Sequence, residues 1–393
     1  MKYVPFPDVV WFQEGPGVRN TQYTETGVKL LNVANLIDGK VDISNTNRYI
    51  SEEEAYGKYK HFLVDKGDLI IASSGIKVEY FDKKMGFVDE SQLPLCMNTS
   101  TIRFKALDKA VLDIRYFMYF LKSDCFKAQL GREITGSAQL NFGPSHLKKM
   151  KLPLIDIQEQ QHIASALDKV TDLINKRRAQ LDKLDLLIKA RFVGMFGTEH
   201  EFGRWPCGKV ADVADVCVGV VIKPTQYYAE EGIKAFRSLN IGPMDVKDND
   251  WVYFSQEGHF KNKKSVIHKG DVLVVRSGAP GVACVATEQY DGCNAVDIII
   301  ARPDTSKIDP EFLAMFTNLP HGMNQIRERT GGAAQQHFNV GGYKALTLIM
   351  PPLDLQKQFA HFFEQTRKIK LTIQQSLDEL GMLKQALMQD YFG

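Results

Sequence analysis

The residues of this chain that could do chemistry are acidic groups near lysines, a tandem proline, and forked polar side chains in glycine-rich loops. Pro-Asp occurs at 7–8 and 303–304, and Asp-x-Lys at 82–84 and 245–247. Carboxylates of this kind hold a divalent metal for phosphodiester hydrolysis when adjacent strands bring them together. None of these matches falls on convincing adjacent strands, and none recurs at a corresponding place in the chain. The stretch "MPPLD", 350–354, has the two prolines of a loop that grips a flipped base, but lacks the flanking Asn or Asp and the aromatic. It reads as the entry to a helix. There is no Gly-x4-Gly-Lys-Ser/Thr phosphate loop, and no serine or histidine sits in a strand–turn–helix nucleophile setting. Cys96, Cys125, Cys207, Cys217, Cys284 and Cys293 form no Cys-x-x-Cys pair and no Cys/His cluster at metal spacing, as expected of reduced core thiols. The expected catalytic set is empty, with no cofactor and no metal.

The loops offer recognition instead. "DKGDLIIASSG", 65–75, leads to Ser73, Ser74 and Lys77, and "HKGDVLVVRSG", 268–278, to Arg276 and Ser277. "REITGSAQLNF", 132–142, supplies Arg132, Ser137, Gln139 and Asn141, and "RERTGGAAQQHF", 327–338, supplies Arg327, Arg329, Gln335, Gln336 and His337. A guanidinium fork matches the edge of guanine, and a Gln or Asn amide matches that of adenine. Lysines flank these loops: Lys58, Lys60 and Lys66; Lys148, Lys149 and Lys151; Lys261, Lys263, Lys264 and Lys269. They would neutralise phosphates and set register without encoding sequence. The formal net charge is only +2, so any basic surface must be local. The plain alternative is a set of solvated loops in which Gly and Ser serve turns. Against it stands the fact that the loops come in matched pairs.

The elements that must position these loops are written twice. "TGVKLLNVANL", 26–36, answers "EGIKAFRSLNI", 231–241, and the two Gly-Asp strands follow in step. "LPLIDIQEQQ", 152–161, answers "MPPLDLQKQF", 350–359, and "LDKLDLLIKARFVGMFG", 181–197, answers "LDELGMLKQALMQDYFG", 377–393. The framework (Gly-Asp, Thr-Gly, Pro-x-x-Asp-x-Gln) is kept while the loop tips differ. Each copy opens with short β-type runs between glycine-punctuated loops and one helical stretch, an α+β pattern. Each then enters a long stretch without a breaker: no Gly or Pro interrupts 157–193, and only Gly381 interrupts 355–392. In the first, Ile163, Leu167, Val170, Ile174, Leu181, Leu184, Ile188 and Met195, with Arg177 and Arg191 in the gaps, alternate four and three as in a coiled coil. The second runs through Phe359, Phe363, Ile369, Ile373, Leu377, Leu380, Leu383, Leu387 and Tyr391.

Two helices of matched length, each about 60 Å, most simply cover each other's stripes. The expected organisation is a globular domain at 1–155, a long helix at 156–197, a second globule at 198–354 and a second helix at 355–393. If the helices pair antiparallel, the globules are related by pseudo-twofold rotation, as in a caliper. Pro5, Pro7 and Asp8 interrupt any amino-terminal signal sequence. No apolar run approaches the ~20 residues of a membrane span, so a soluble, cytoplasmic protein is expected.

These features together resemble the specificity subunits of type I restriction–modification enzymes. The resemblance is carried by "EGPGVRNTQYTETGVKLLNVANL", the two Gly-Asp strands, "TGSAQLNF" and "TGGAAQQHF", and the two proline-led helix entries, and it covers the whole chain. It implies two target recognition domains, each reading one half of a bipartite site in double-stranded DNA, with the paired helices as a ruler. It implies partners too: modification subunits that methylate adenine with S-adenosylmethionine, and restriction subunits that translocate and cut with ATP. The specificity subunit itself would hold no cofactor. Thr366, Lys370 and Lys384 at seam-like positions depart from an apolar stripe. Two other readings stay open on the residues alone: a single-chain nuclease or methyltransferase with duplicated reading domains, and a coiled-coil scaffold for proteins.

Overall fold

The computed structural model describes residues 2–134, 140–330 and 337–393. It comprises two compact units, Met1–Arg178 with Gln375–Gly393, and Ala179–Gln374. No helix among the described residues is long and apolar enough to cross a membrane.

The first unit is built on four antiparallel strands in the order Val10–Glu14, Thr101–Ala106, Leu69–Ala72, Met85–Phe87. The second repeats that order with Ala214–Val218, Ile298–Pro303, Val272–Val275 and Ala283–Val285. The Gly-Asp strands "LIIA" and "VLVV" are buried along their whole length. Successive side chains of a strand point to opposite faces, so each strand feeds two cores. Leu69 and Ile71 pack with the helices Ile114–Lys122 and Asp124–Glu133, while Ile70 and Ala72 face Leu31 and Leu95 of a smaller sheet. Val272 and Val274, against Leu273 and Val275, divide in the same way. In each smaller sheet one strand lies between a parallel and an antiparallel neighbour: Val28–Leu31 in one unit, Ile233–Phe236 in the other. Its entry needs glycine. Gly27 (φ +127°) and Gly232 (φ +144°) press so closely on the next strand that a Cβ would lie 2.2 Å from the Ile50 carbonyl oxygen and 2.3 Å from that of Phe254.

The long helices are Ile157–Phe196 and Leu353–Phe392, 40 residues each. Within the second unit, the Phe192 ring lies 5.3 Å from that of Phe359, and Lys370 Nζ donates to Asp185 Oδ1 at 2.6 Å. Later residues of one helix meet earlier residues of the other, so they run antiparallel. Both globular cores are closed by the end of a helix. Phe392 packs 5.2 Å from Tyr116 in the first unit, beside Ile163 and Leu167, and Phe196 packs 4.9 Å from Phe312 in the second.

The seams differ from the periodic reading in two stretches. Ile369 and Leu383 are about half exposed, while Thr366 is buried and Lys384 half-buried in their place. Apolarity alone selects the wrong neighbour there, because the interior positions are polar. Near the end of the first helix the buried residues are Phe192 and Phe196, not Arg191 and Met195, because the helix leaves its partner and enters the globular core. Arg191 instead lies over the Phe362 ring.

The helix entries also correct the register between copies. Letter matching places Gln158 over Gln356, but the fully buried pair is Gln160 and Gln356, each the fourth residue of its helix. Gln160 Oε1 accepts from the Asp113 backbone N–H at 3.0 Å, and its Nε2 donates to the carbonyls of Val111 and Ile155. Gln356 Oε1 accepts from Asp309 N–H at 2.9 Å, and its Nε2 donates to the Pro351 carbonyl. One amide thus ties the start of the long helix to the start of the globule's own helix. Gln160→Leu and Gln356→Leu should each destabilise the chain by about 1–3 kcal/mol, the cost of stranding buried backbone groups. Urea unfolding checks this, and a neutral result for both would show the buried amides to be dispensable.

Candidate nucleic-acid interface

Each loop tip is set by a buried carboxylate at the turn into the central strand. Gly67 (φ +82°) and Gly270 (φ +86°) make that turn in the left-handed region. Asp68 Oδ2 accepts from the Asp65 backbone N–H at 2.8 Å, and Asp271 Oδ2 from that of His268 at 2.8 Å. Burial raises both carboxyls above their ordinary range, and the turn N–H with nearby cations opposes the rise. In the first unit Arg103 Nη1 lies 3.3 Å from Asp68, and the same guanidinium donates to the carbonyls of Leu63 and His61. In the second unit Arg302 lies 3.5 Å from Asp271 and donates to the carbonyls of Val266 and Lys264. Arg103 is paired with Ile70, whereas Ile300 is paired with the corresponding Leu273. The cation has therefore moved two residues along the strand, which keeps it on the same face.

The far end of each strand reaches the tip. Ser73, Ser74 and Gly75 correspond there to Arg276, Ser277 and Gly278, with both glycines at positive φ. The segment carrying Asn141 or His337 folds back onto this end: Phe142 N–H donates to the Ser73 carbonyl at 2.9 Å, and Phe338 N–H to that of Arg276 at 3.0 Å. Ser74 Oγ donates to Asn141 Oδ1 at 2.7 Å, which also accepts from Gly75 N–H at 3.1 Å. In the second unit Ser277 Oγ and His337 Nδ1 are 2.8 Å apart, and Arg276 Nη1 donates to Asp297 Oδ1 at 2.8 Å. The backbone is the same and the side chains differ.

Not every expected residue reaches this surface. Ser73 is buried at 1% exposure, which takes its hydroxyl off the tip. Its position points inward, and Arg276 reaches the rim from the equivalent place only because its side chain is long. Lys77, Arg132, Lys148, Arg327 and Arg329 are exposed. Arg329 bends back to the carbonyls of Gln325 and Ala345, and Arg327 to Asn324 Oδ1. Ser137, Gln139, Gln335 and Gln336 lie outside the described residues. Several flanking lysines already hold carboxylates, Lys66 with Glu90 and Lys269 with Glu288, both exposed, and Lys149 with the half-buried Glu133. Such exposed pairs are worth little and exchange readily for phosphate. Of the acidic matches, Asp82 binds Lys127, and Asp304 accepts from Ser306. Asp297 escaped the sequence reading. Its φ of +49°, shared by Ser100 (+63°) at the same place in the first unit, leaves no signal in a single sequence.

A duplicated α+β frame with paired antiparallel helices and divergent polar tips defines a class, and the comparisons agree on which. Residues 25–183 match the family described as type I restriction modification DNA specificity domain. The MjaVIII specificity subunit of Methanocaldococcus jannaschii is 25% identical over 186 residues, 46% of this chain and 42% of that one. The StySPI specificity subunit of Salmonella potsdam is 21% identical over 305 residues, 70% of this chain and 64% of that one. Both matches span less than two thirds of the relative's length. The crystal structure of the S subunit from M. genitalium has the same fold, with TM-score 0.62 and 14% identity over 100% of this chain and 96% of that one. A chain from a study of assembly and conformational transition in the type I R-M system gives TM-score 0.55 and 16% identity, over 100% of this chain and 97% of that one. Residues 25–183 thus carry the signature of a type I restriction modification DNA specificity domain, and the chain is similar to specificity subunits in sequence and in fold.

The buried ion pair should be the least tolerant part of the tip. Arg103→Met leaves Asp68 buried without its guanidinium and two carbonyls unpaired, at an expected cost of about 3–5 kcal/mol. Chemical denaturation of the variant measures it; a loss below about 1 kcal/mol would show that Lys105, 3.3 Å from Asp68, suffices alone.

Proposed function

We propose that this chain is the DNA-reading, non-catalytic subunit of a type I restriction–modification complex, and that each unit reads one half of a bipartite site. The observation that carries the reading is the tip built twice on one backbone with different side chains: Asn141 against His337 and Ser100 against Asp297, with Arg276 reaching the rim where Ser73 stays buried. A frame needed only for folding has no reason to vary at its exposed tip and stay constant beneath it. Two tips serving different half-sites would vary in this way. Ser74, Asn141, Arg276, Ser277 and His337 are the proposed base-facing groups, with Gln139, Gln335 and Gln336 on the adjoining loops. Lys77, Lys148, Arg132 and Arg327 would serve phosphates.

Modification subunits, and with them restriction subunits, are the proposed partners. Support comes from apolar side chains left exposed on both long helices, Leu173 and Met382 in the first unit, Leu186 and Leu371 in the second. Methylation and cleavage would belong to those partners, in the cytoplasm where the host DNA lies.

Selection of bound duplexes from a random pool tests the division of labour. Asn141→Ala should relax preference in one half-site and His337→Ala in the other, each by about 1–3 kcal/mol per read position. Equal relaxation of both halves by one substitution would refute two independent readers, and binding without salt dependence would refute a DNA reader altogether.

The helices are proposed to set the spacing between half-sites. Four residues inserted near Lys176 add about one turn and ~6 Å of helix. The preferred spacer should lengthen by about one or two base pairs while both half-site sequences are retained. The insertion also shifts the seam, so some stability should be lost. A folded, binding variant that keeps the parental spacer would remove the ruler role.

A further inference from the structure

The two units carry the same cavity with different chemistry. In the first, a space of about 1480 Å³ opens between the globule and both long helices, and in the second a space of about 760 Å³ occupies the equivalent place. The long helices begin at Ile157 and Leu353, an offset of 196 residues that also relates Ile114–Lys122 to Pro310–Asn318. By that offset Lys122 corresponds to Asn318, Lys127 to Met323, Arg178 to Gln374, and Lys384 to Ile188. All eight line their cavities. Every cation of this set in one unit is a neutral side chain in the other, so the shared frame closes without them.

Lys127 is accounted for by Asp82, 2.9 Å away. Lys122, Lys384 and Arg178 make no ion pair among the described residues. Burial draws the Lys122 ammonium down to about 8, and the neighbouring Lys384 charge adds to the effect. Lys384 is itself lowered, first by burial and then by Arg178, against the pull of Asp82 and Asp168. Lys384 also holds a seam position, where a coiled coil favours an apolar residue such as the Ile188 of the other unit. Of the aspartates lining the same cavity, Asp38, Asp82 and Asp168 are paired with Lys83, Lys127 and Arg115. Like charges gathered there, two of them half-buried, cost stability unless a further counter-charge joins them.

We propose that the first unit's cavity, at Lys122, Lys384 and Arg178, binds a multiply charged phosphate anion. Three cations lining one cavity call for two or three negative charges on one group. A phosphoanhydride or phosphodiester presents several oxygens per phosphorus to several donors at once, whereas a carboxylate brings a single charge. The phosphate could arrive as a free anion or as part of a nucleic-acid backbone. This site is separate from the recognition tips, and its test does not depend on them.

Pyrophosphate is the probe, titrated calorimetrically into the full chain at constant ionic strength and compared by thermal midpoint. The variant is Lys122→Asn with Lys384→Ile, which installs side chains the second unit already accommodates at those places. The wild-type chain should bind pyrophosphate and melt higher with it. The variant should melt higher without ligand, bind at least about tenfold more weakly, and gain nothing from pyrophosphate. Should the double variant not fold, Arg178→Gln, at an exposed position, provides the same comparison. A short duplex that displaces pyrophosphate from the wild type would identify a nucleic-acid backbone as the source, and failure to displace it would identify a free anion. An equal pyrophosphate response in wild type and variant, no response in the wild type, or equal stabilisation by a triglutamate peptide would overturn the assignment.

Discussion

An ionised carboxylate buried at the turn into the central strand is the interaction on which each unit depends. Leaving Asp68 or Asp271 in the interior unpaired would cost several kcal/mol, so a cation must come from the neighbouring strand. One guanidinium then does more than neutralise. Arg103 reaches the carbonyls of His61 and Leu63 as well as Asp68, and binds the strand, the turn and the loop before it into one knot. Arg302 makes the same three-way tie from a different residue. Divergence has moved the cation and kept the knot. That is the behaviour expected if the tip must emerge at a fixed place while its side chains change.

The second constraint is that neither repeat completes its own core. The aromatic that closes the first unit, Phe392, stands at the end of the second copy's helix, and the one that closes the second, Phe196, at the end of the first copy's. The buried glutamines Gln160 and Gln356 hold the opposite ends of those helices to the starts of the globular helices. A long helix therefore cannot shift its register without withdrawing an aromatic from a core at one end or straining a buried amide at the other.

Much of this was legible because it is periodic. The duplication, the Gly-Asp strands, the α+β texture and both long helices follow from local patterns, and the resemblance they carry points to the same family whose model matches residues 25–183. Features decided by tertiary context were not. Hydrophobicity selects Ile369 and Leu383 for the seam, while Thr366 and Lys384, marked in the sequence only as departures from an apolar stripe, are the residues that packing turns inward. Letter matching pairs Gln158 with Gln356, because the helix entries differ by two residues in how proline precedes them. Ser73 reads as a polar loop residue, yet strand alternation turns it inward. The backbone angles that bring Ser100 and Asp297 to the tips belong to no residue preference strong enough to see.

The hydrogen bonds already made at each tip narrow what each can offer. Asn141 would read adenine with both halves of its amide, but its oxygen accepts from Ser74 and from Gly75, filling both lone pairs. What remains outward is the amide NH2, a donor alone, which suits the acceptor-rich edge of a purine or the carbonyl of thymine. His337 spends Nδ1 on Ser277 and keeps Nε2. Beside it Arg276 is already steadied by Asp297, so its fork loses less freedom on contact than a free arginine would. The two tips thus differ in kind as well as in residue: one is a short donor held tightly to its own strand, the other an imidazole next to a pre-set guanidinium. Under the proposed function the two tips would favour different half-sites, even though the backbones beneath are the same.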